Sequence, residues 1–296
     1  MFLCTTCWDF NRCIITCILF LNLFSTSSVC YKPVVLVHGI FDKSYSLYSL
    51  MDRIGEKHPG THVTLLDKLH GWKSMAPVWF QVKSFKKLLA PIMEENPGGI
   101  NMIGFSQGGL VARALIESTN KHNVHTFISL SSPQYGQYGD DFLRIFFPGY
   151  VKESAWRFFY SKPGQMTSVG NYWRDPHHLD TFLNYSHFLP EVNNEVTTPD
   201  TIKYKRNFLK LQRLVLIGGP DDGVISPWQS SHFGVFDENE QVIPMQNTRV
   251  YKNDTFGLRT LDKQCKIVTI TIPGIHHLDW HRNVSVIDDY IIPYLD

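Results

Sequence analysis

"INMIGFSQGGLVARALIE", residues 100–117, decides how the rest of the chain is read. Ile100, Met102, Ile103 and Phe105 form a short apolar run of the kind that makes a strand buried in a parallel sheet. Leu110, Val111, Ala114, Leu115 and Glu117 follow at helical spacing. Between the two segments, Gly104, Ser106 and Gly108 spell G-x-S-x-G, the pattern of a nucleophile elbow. There a tight strand-to-helix turn exposes a serine Oγ, and only small neighbours clear the backbone. With glycine and serine each about 7% of residues, chance alone puts this pentapeptide in about one chain of this length in ten. Its weight therefore comes from the order of strand, serine turn and helix.

Working outward, further apolar runs alternate with helical stretches: "VVLVHG" at 34–39, "THVTLL" at 61–66, "HTFISLSSP" at 125–133, "RLVLIGG" at 213–219 and "KIVTITIPG" at 266–274. This alternation predicts a mainly parallel, doubly wound sheet, which together with the elbow makes an α/β-hydrolase fold the expectation. From Gln134 to about Arg206 the rhythm breaks into an aromatic-rich helical segment. It reads as a cap insertion over an apolar substrate, the plainer alternative being an ordinary helical surface insertion. Trp156, Phe158, Phe159, Tyr172, Trp173, Phe182 and Phe188 are its candidate acyl-lining residues.

The 296 residues carry 28 basic and 27 acidic side chains, a net charge of +1, with no basic run interleaved with aromatics, which argues against a nucleic-acid partner. "CIITCILFLNLF" followed by "STSSVC" fits a signal peptide over 1–29, leaving 30–296 as the hydrolase domain. An uncleaved anchor is the alternative, because Arg12 is the only basic residue before the apolar run. No later segment is apolar for long enough to span a bilayer, so stable membrane insertion is not expected. Sequons at Asn184, Asn253 and Asn283 suit a secretory route. Five of the six cysteines (Cys4, Cys7, Cys13, Cys17 and Cys30) fall in or beside the presumed signal, so Cys265, with Cys30 its one potential partner in a mature chain, is expected to be a buried free thiol.

A serine hydroxyl becomes a nucleophile when a histidine takes its proton, and the histidine needs a carboxylate to fix its tautomer. On this fold the partners follow the serine in the order acid, then histidine, on loops after late strands. That order leaves His232, His276, His277 and His281. "PGIHHLDWHRN" puts His276 or His277 just after the last strand, with His281 in the helix beyond. "LVLIGGPDDGVISP" offers Asp221 or Asp222 at the carboxyl end of the preceding strand. The residue types alone leave both pairs tied. Backbone N–H groups of Gln107, next after the serine, and of Ile40, after the "VVLVHG" strand, are the expected oxyanion donors, with His38 packed behind them. A metal site from His177, His178 and Asp180 is disfavoured, and no metal or cofactor is expected.

These segments resemble the palmitoyl-protein thioesterase family, most closely its second, lysosomal type. "VLVHGIFD", "FSQGGLVARAL", "FISLSSPQYGQYGDD", "NYWRDPHHLD", "LVLIGGPDDGVISPWQSS" and "GIHHLDWH" occur in that type's order and at similar spacing. The resemblance implies Ser106 as nucleophile, Asp222 as acid and His277 as base, with Ile40 and Gln107 as oxyanion donors. It also implies that 134–206 is the acyl-binding insertion, that the substrate is a fatty-acyl thioester such as palmitoyl-CoA or an S-acylated species, and that the enzyme works in the lysosome or is secreted. A lipase-like carboxylesterase and a non-catalytic acyl-binding protein are the alternatives. The sequence departs from the family in having no cysteine between Cys30 and Cys265, so the bridges that the family carries in the elbow and insertion are missing here.

Overall fold

The computed structural model describes residues 31–295. The expected signal peptide at 1–29, the five early cysteines and any pairing of Cys30 with Cys265 lie outside these residues. The strands among them are β1 (Val34–Val37), β2 (Val63–Leu65), β3 (Ile100–Phe105), β4 (Val124–Leu130), β5 (Arg213–Gly218), β6 (Val235–Phe236), β7 (Val242–Ile243) and β8 (Ile267–Thr271). Six of them form one sheet in the order β2-β1-β3-β4-β5-β8, every neighbouring pair parallel. β6 and β7 make a separate antiparallel ribbon.

The strands read as continuous apolar runs because both faces of the sheet are covered. Alternate residues divide between two cores. Val34, Leu36, Ile103, Phe105, Ile128, Leu130, Val215 and Ile217 face Leu50 and Ile54 of the helix Tyr48–Lys57 and Val286 and Ile287 of the helix Val284–Tyr290. Val35, Val37, Met102, Phe127, Leu214 and Leu216 share the other core with the helix Val78–Glu95 and with the helix Gln107–Ser118. Among the described residues no helix is long and apolar enough to cross a membrane. The sheet and its two helical layers are those of an α/β-hydrolase.

Between β4 and β5 the chain makes seven helices: Asp140–Phe146, Lys152–Phe159, Lys162–Gln165, Ser168–Tyr172, Leu179–Tyr185, Leu189–Val192 and Thr201–Phe208. Their aromatics are mostly buried. Phe159, Tyr172, Trp173, Phe182 and Phe188 lie in the same core as Val35 and Met102, whereas Trp156 and Phe158 pack against it only partly buried. Five of the seven candidate lining residues thus serve as core, because short helices without a sheet of their own must bury their apolar faces against the sheet's.

Buried polar bonds join this segment to the helix after Ser106. Arg113, fully buried, donates from Nη1 to Asn193 Oδ1 at 2.9 Å and from Nη2 to the Gln134 carbonyl at 3.0 Å. Arg174 forms a bidentate pair with Glu195 at 3.0 and 3.1 Å and lies over the rings of Tyr135 and Phe182. Glu117, one turn on from Arg113, differs: both carboxylate oxygens lack a hydrogen-bond partner, and Arg113 Nη1 stays 3.9 Å away. Burial pushes its pKa up to about 8 against the pull of Arg113.

Cys265 contradicts the sequence reading. It is free but exposed, in the turn between the helix Leu258–Lys263 and β8, at a left-handed φ of +57°. The turn directs the side chain outward, and the apolar run that could have buried it starts only at Ile267.

Candidate active site

Ser106 joins β3 to the helix Gln107–Ser118 at φ 53° and ψ −128°. Such a backbone costs a non-glycine residue about 1–3 kcal/mol and needs a surrounding structure that leaves it no alternative. The glycines around it explain how the turn fits. A Cβ on Gly104 would come within 2.5 Å of Gly109 Cα, and one on Gly108 within 2.3 Å of the Val37 carbonyl oxygen. Ser106 N–H is fixed to the Leu130 carbonyl of the next strand at 3.0 Å.

The loops after β5 and β8 bring their aspartates and histidines to the same edge. His277 Nε2 lies 3.0 Å from Ser106 Oγ, and its Nδ1 lies 2.9 and 3.0 Å from the two carboxylate oxygens of Asp222. With the proton on Nδ1, the ring donates to Asp222 and leaves Nε2 to accept from the serine hydroxyl. His277 N–H also donates to the Asp222 carbonyl at 2.9 Å, tying the two loops together. Asp221 and His276, one residue earlier on each loop, are both exposed and brace the outside of the same junction. Asp221 accepts from Gly274 N–H at 2.7 Å, and His276 Nδ1 donates to the Asp221 carbonyl at 3.0 Å.

Asp222 is held by several further groups. Ser131 Oγ donates to Oδ2 at 2.5 Å and Trp280 Nε1 to the same oxygen at 2.7 Å. The N–H groups of Val224 and Ile225 reach Oδ1 at 3.0 and 2.7 Å. Burial alone would raise this carboxyl, but the bonds from His277, Ile225 and Ser131 outweigh it and hold the pKa below the ordinary carboxylate range. Ser131 and Trp280 were not foreseen. Their signals were present in "SLSSP", at the end of the strand beside the elbow, and in "HHLDWH", three residues after His277.

Ile40 lies in the loop after β1, and Gln107 directly follows Ser106. The Gly39 N–H goes to Asp42 Oδ2 at 2.9 Å and the Phe41 N–H to Ser74 Oγ at 2.7 Å. The Ile40 N–H between them has no acceptor among the described residues. Gln107 opens its helix, where the helix itself supplies no acceptor for the N–H. His38 is buried, with Nδ1 at 2.9 Å from the Gly39 carbonyl and Nε2 at 2.8 Å from that of Lys68, so it braces the loop.

The remaining candidates fall elsewhere. His281 precedes the helix Val284–Tyr290 instead of lying in it; it packs edge-on to Phe105, and burial together with Arg282 and His277 pushes its pKa down to about 4. His232 meets the Ile270 carbonyl at 3.1 Å. His177 pairs with Glu240 and His178 with Asp175, so these two histidines face different carboxylates, and no group of three potential metal ligands occurs among the described residues. Asn184 and Asn253 are exposed, whereas Asn283 is partly buried and caps its helix by accepting from Val286 N–H at 3.2 Å.

Residues 33–277 match the sequence profile of a family described as palmitoyl protein thioesterase. The chain is 51% identical over 266 residues to the lysosomal thioesterase PPT2 of Rattus norvegicus, covering 90% of this chain and 88% of that one. It is 49% identical over 269 residues to the lysosomal thioesterase PPT2 homolog of Drosophila melanogaster, covering 91% and 93%.

Proposed function

The chain belongs to the palmitoyl protein thioesterase family and is a thioester hydrolase, and from that premise we propose that Ser106, His277 and Asp222 are its catalytic triad, acting on fatty-acyl thioesters in the lysosome. The observation that carries this reading is the unbroken chain of contacts from Ser106 Oγ through His277 to Asp222, at 3.0 and 2.9 Å. Ser106 Oγ attacks the thioester carbonyl carbon while its proton passes to His277 Nε2. The carbonyl oxygen takes up the negative charge and receives hydrogen bonds from the N–H groups of Ile40 and Gln107. Collapse of the tetrahedral intermediate breaks the carbon–sulfur bond, and the leaving thiolate takes the proton from His277. Because a thiol has a pKa of about 8.5, it departs with less acid assistance than an alcohol. Water then attacks the acyl-enzyme with His277 as base, and the fatty acid leaves as Ser106 recovers its proton.

The test is a hydrolysis panel of palmitoyl-CoA, an S-acylated protein and a matched oxygen ester, with Ser106→Ala as the blank. Turnover of both thioesters ahead of the oxygen ester is expected; residual thioesterase activity in the blank would overturn the triad.

The insertion at 134–206 is the proposed acyl site. Trp156 and Phe158, the two candidate lining residues that the core leaves partly open, are the ones to meet a chain. Each methylene moved out of water contributes about 0.8 kcal/mol, so kcat/KM is expected to rise with acyl length until the groove is filled. A flat series against acyl-CoA length would mean that the tail lies elsewhere. Both relatives are lysosomal thioesterases by name, and the exposed sequons at Asn184 and Asn253 suit glycosylation on the route there, with Asn283 a third acceptor. N-terminal sequencing of protein from cells is expected to begin between about Ser27 and Lys32. Residues 1–20 on the mature protein would rule out cleavage.

A further inference from the structure

Ser74 lies in the 3-10 turn Gly71–Met75, far in sequence from the elbow, and is fully buried. Its hydroxyl accepts from Phe41 N–H at 2.7 Å and donates to the Gly71 carbonyl at 2.6 Å. Its carbonyl accepts from Gln107 Nε2 at 2.8 Å and from Gln81 Nε2 at 2.7 Å. Gln81, also buried, reaches the Ala76 carbonyl at 2.7 Å and offers Oε1 to Gln107 Nε2 at 3.3 Å. The same turn is tied back to the loop at its other end, where Gly71 N–H donates to the Asp42 carbonyl at 2.9 Å.

Phe41 sits at φ +57°, a left-handed conformation that a bulky residue adopts only when something holds it there. The Ser74 hydroxyl is the group bonded to its N–H. With Gly39 N–H committed to Asp42 and Phe41 N–H to Ser74, Ile40 N–H is the one of the three consecutive donors left for a ligand. On the other side, the Gln107 side chain is anchored to the backbone of the same serine, which fixes the first turn of the helix whose N–H is the second donor. One residue therefore touches both arms: the loop through its hydroxyl and the helix through its carbonyl.

We propose that Ser74 is a positioning residue of the oxyanion hole, setting the separation and direction of the Ile40 and Gln107 N–H groups without touching substrate. The proposal rests on the assignment of those two groups as oxyanion donors. Its effect is confined to the tetrahedral stage, because a ground-state carbonyl does not occupy the position at which the donors aim.

The experiment compares the unaltered full chain with Ser74→Ala, Ser74→Thr and Ser106→Ala. Four quantities are read: kcat and KM for palmitoyl-CoA, affinity for a long-chain trifluoromethyl ketone that forms a tetrahedral adduct with the serine, and affinity for an inert thioether analogue. Losing a direct oxyanion donor lowers kcat by about 10²–10³-fold, so displacing donors through Ser74→Ala is expected to lower it by about 10–100-fold. KM and thioether affinity should stay within about twofold, and the ketone should weaken by the same factor as kcat/KM. Ser74→Thr, which keeps the hydroxyl, is expected to restore most of the loss. Equal weakening of ketone and thioether, or an unchanged kcat in Ser74→Ala, overturns the proposal. If Ser74→Ala does not fold, Ser74→Cys, similar in size but a weak acceptor, is read against the same outcomes. A ketone that binds Ser106→Ala as tightly as the unaltered enzyme would instead refute the serine-hydrolase assignment.

Discussion

Asp222 and Glu117 are carboxylates shut off from solvent in two regions of the molecule, the first at the carboxyl edge of the sheet and the second near the far end of the helix that follows Ser106. Asp222 receives donors from His277, Ser131, Trp280, Val224 and Ile225. Glu117 receives none, and Arg113 stands 3.9 Å off. Burial raises the pKa of both, yet Asp222 ends below the ordinary range and Glu117 at about 8. Depth alone does not decide whether a carboxylate keeps its charge inside a protein; the number of donors converging on it does. Of the two, only Asp222 also meets a histidine ring, that of His277 at 2.9 Å.

The largest break in this comparison is expected at the groups that Asp222 serves. Ser106→Ala and His277→Ala should each lower kcat by on the order of 10⁵–10⁶-fold, while His276→Ala, which removes only a surface brace, keeps most of the activity. Steady-state hydrolysis of palmitoyl-CoA measures all three, and a dead His276→Ala beside an active His277→Ala would reverse the assignment. Next comes the carboxylate itself. Asp222→Asn should lower kcat by about 10³–10⁴-fold through the wrong histidine tautomer, whereas Glu117→Gln, equally buried, should leave kcat unchanged.

The smaller effects are in stability, and their signs are opposite. Because the folded pKa of Asp222 is depressed, its contribution is present above an unfolded value of about 3.9 and is lost as pH falls through the lower folded value. The gap in Tm between the unaltered enzyme and Asp222→Asn should therefore narrow below about pH 4. Glu117 has a raised folded pKa, so the native state keeps a proton that the unfolded chain releases above about 4.3, and stability falls as pH climbs towards about 8. Glu117→Gln should melt close to the unaltered enzyme near pH 4 and a few degrees above it at pH 8, read by calorimetry across that range. A gap that does not change with pH would mean that Glu117 is already ionised in the folded state.

The sheet was legible because apolar runs at regular intervals have one economical arrangement, and the elbow because three glycines near one serine are sterically informative. The choice between Asp221 and Asp222, or His276 and His277, could not be read from residue types. Neighbours of identical chemistry differ only in which way the loop turns them, and that follows from bonds such as His277 N–H to the Asp222 carbonyl. The partners of Ser131 and Ser74 could not be read for a related reason: Asp222 and Gln107 lie 91 and 33 positions away. The aromatic density of the insertion suggests a cap lining an apolar substrate, yet five of the seven rings lie in the core, because density says nothing about whether a ring faces a groove or the core. Cys265 was misjudged because its residue type favours burial while a left-handed turn sets its direction.

The bond from Arg113 to Asn193 bears on how members of this family could exchange parts. The guanidinium belongs to the scaffold and its acceptor to the insertion, so a segment between β4 and β5 lifted from a relative has to bring that acceptor with it. A transplant lacking an acceptor at the position of Asn193 would leave one buried N–H of Arg113 unpaired, at a cost of about 1–3 kcal/mol, while the bond to the Gln134 carbonyl remained. With the acyl chain placed at the insertion as proposed, changes in acyl preference are expected from substitutions within the segment, at positions such as Trp156 and Phe158 that stay only partly buried.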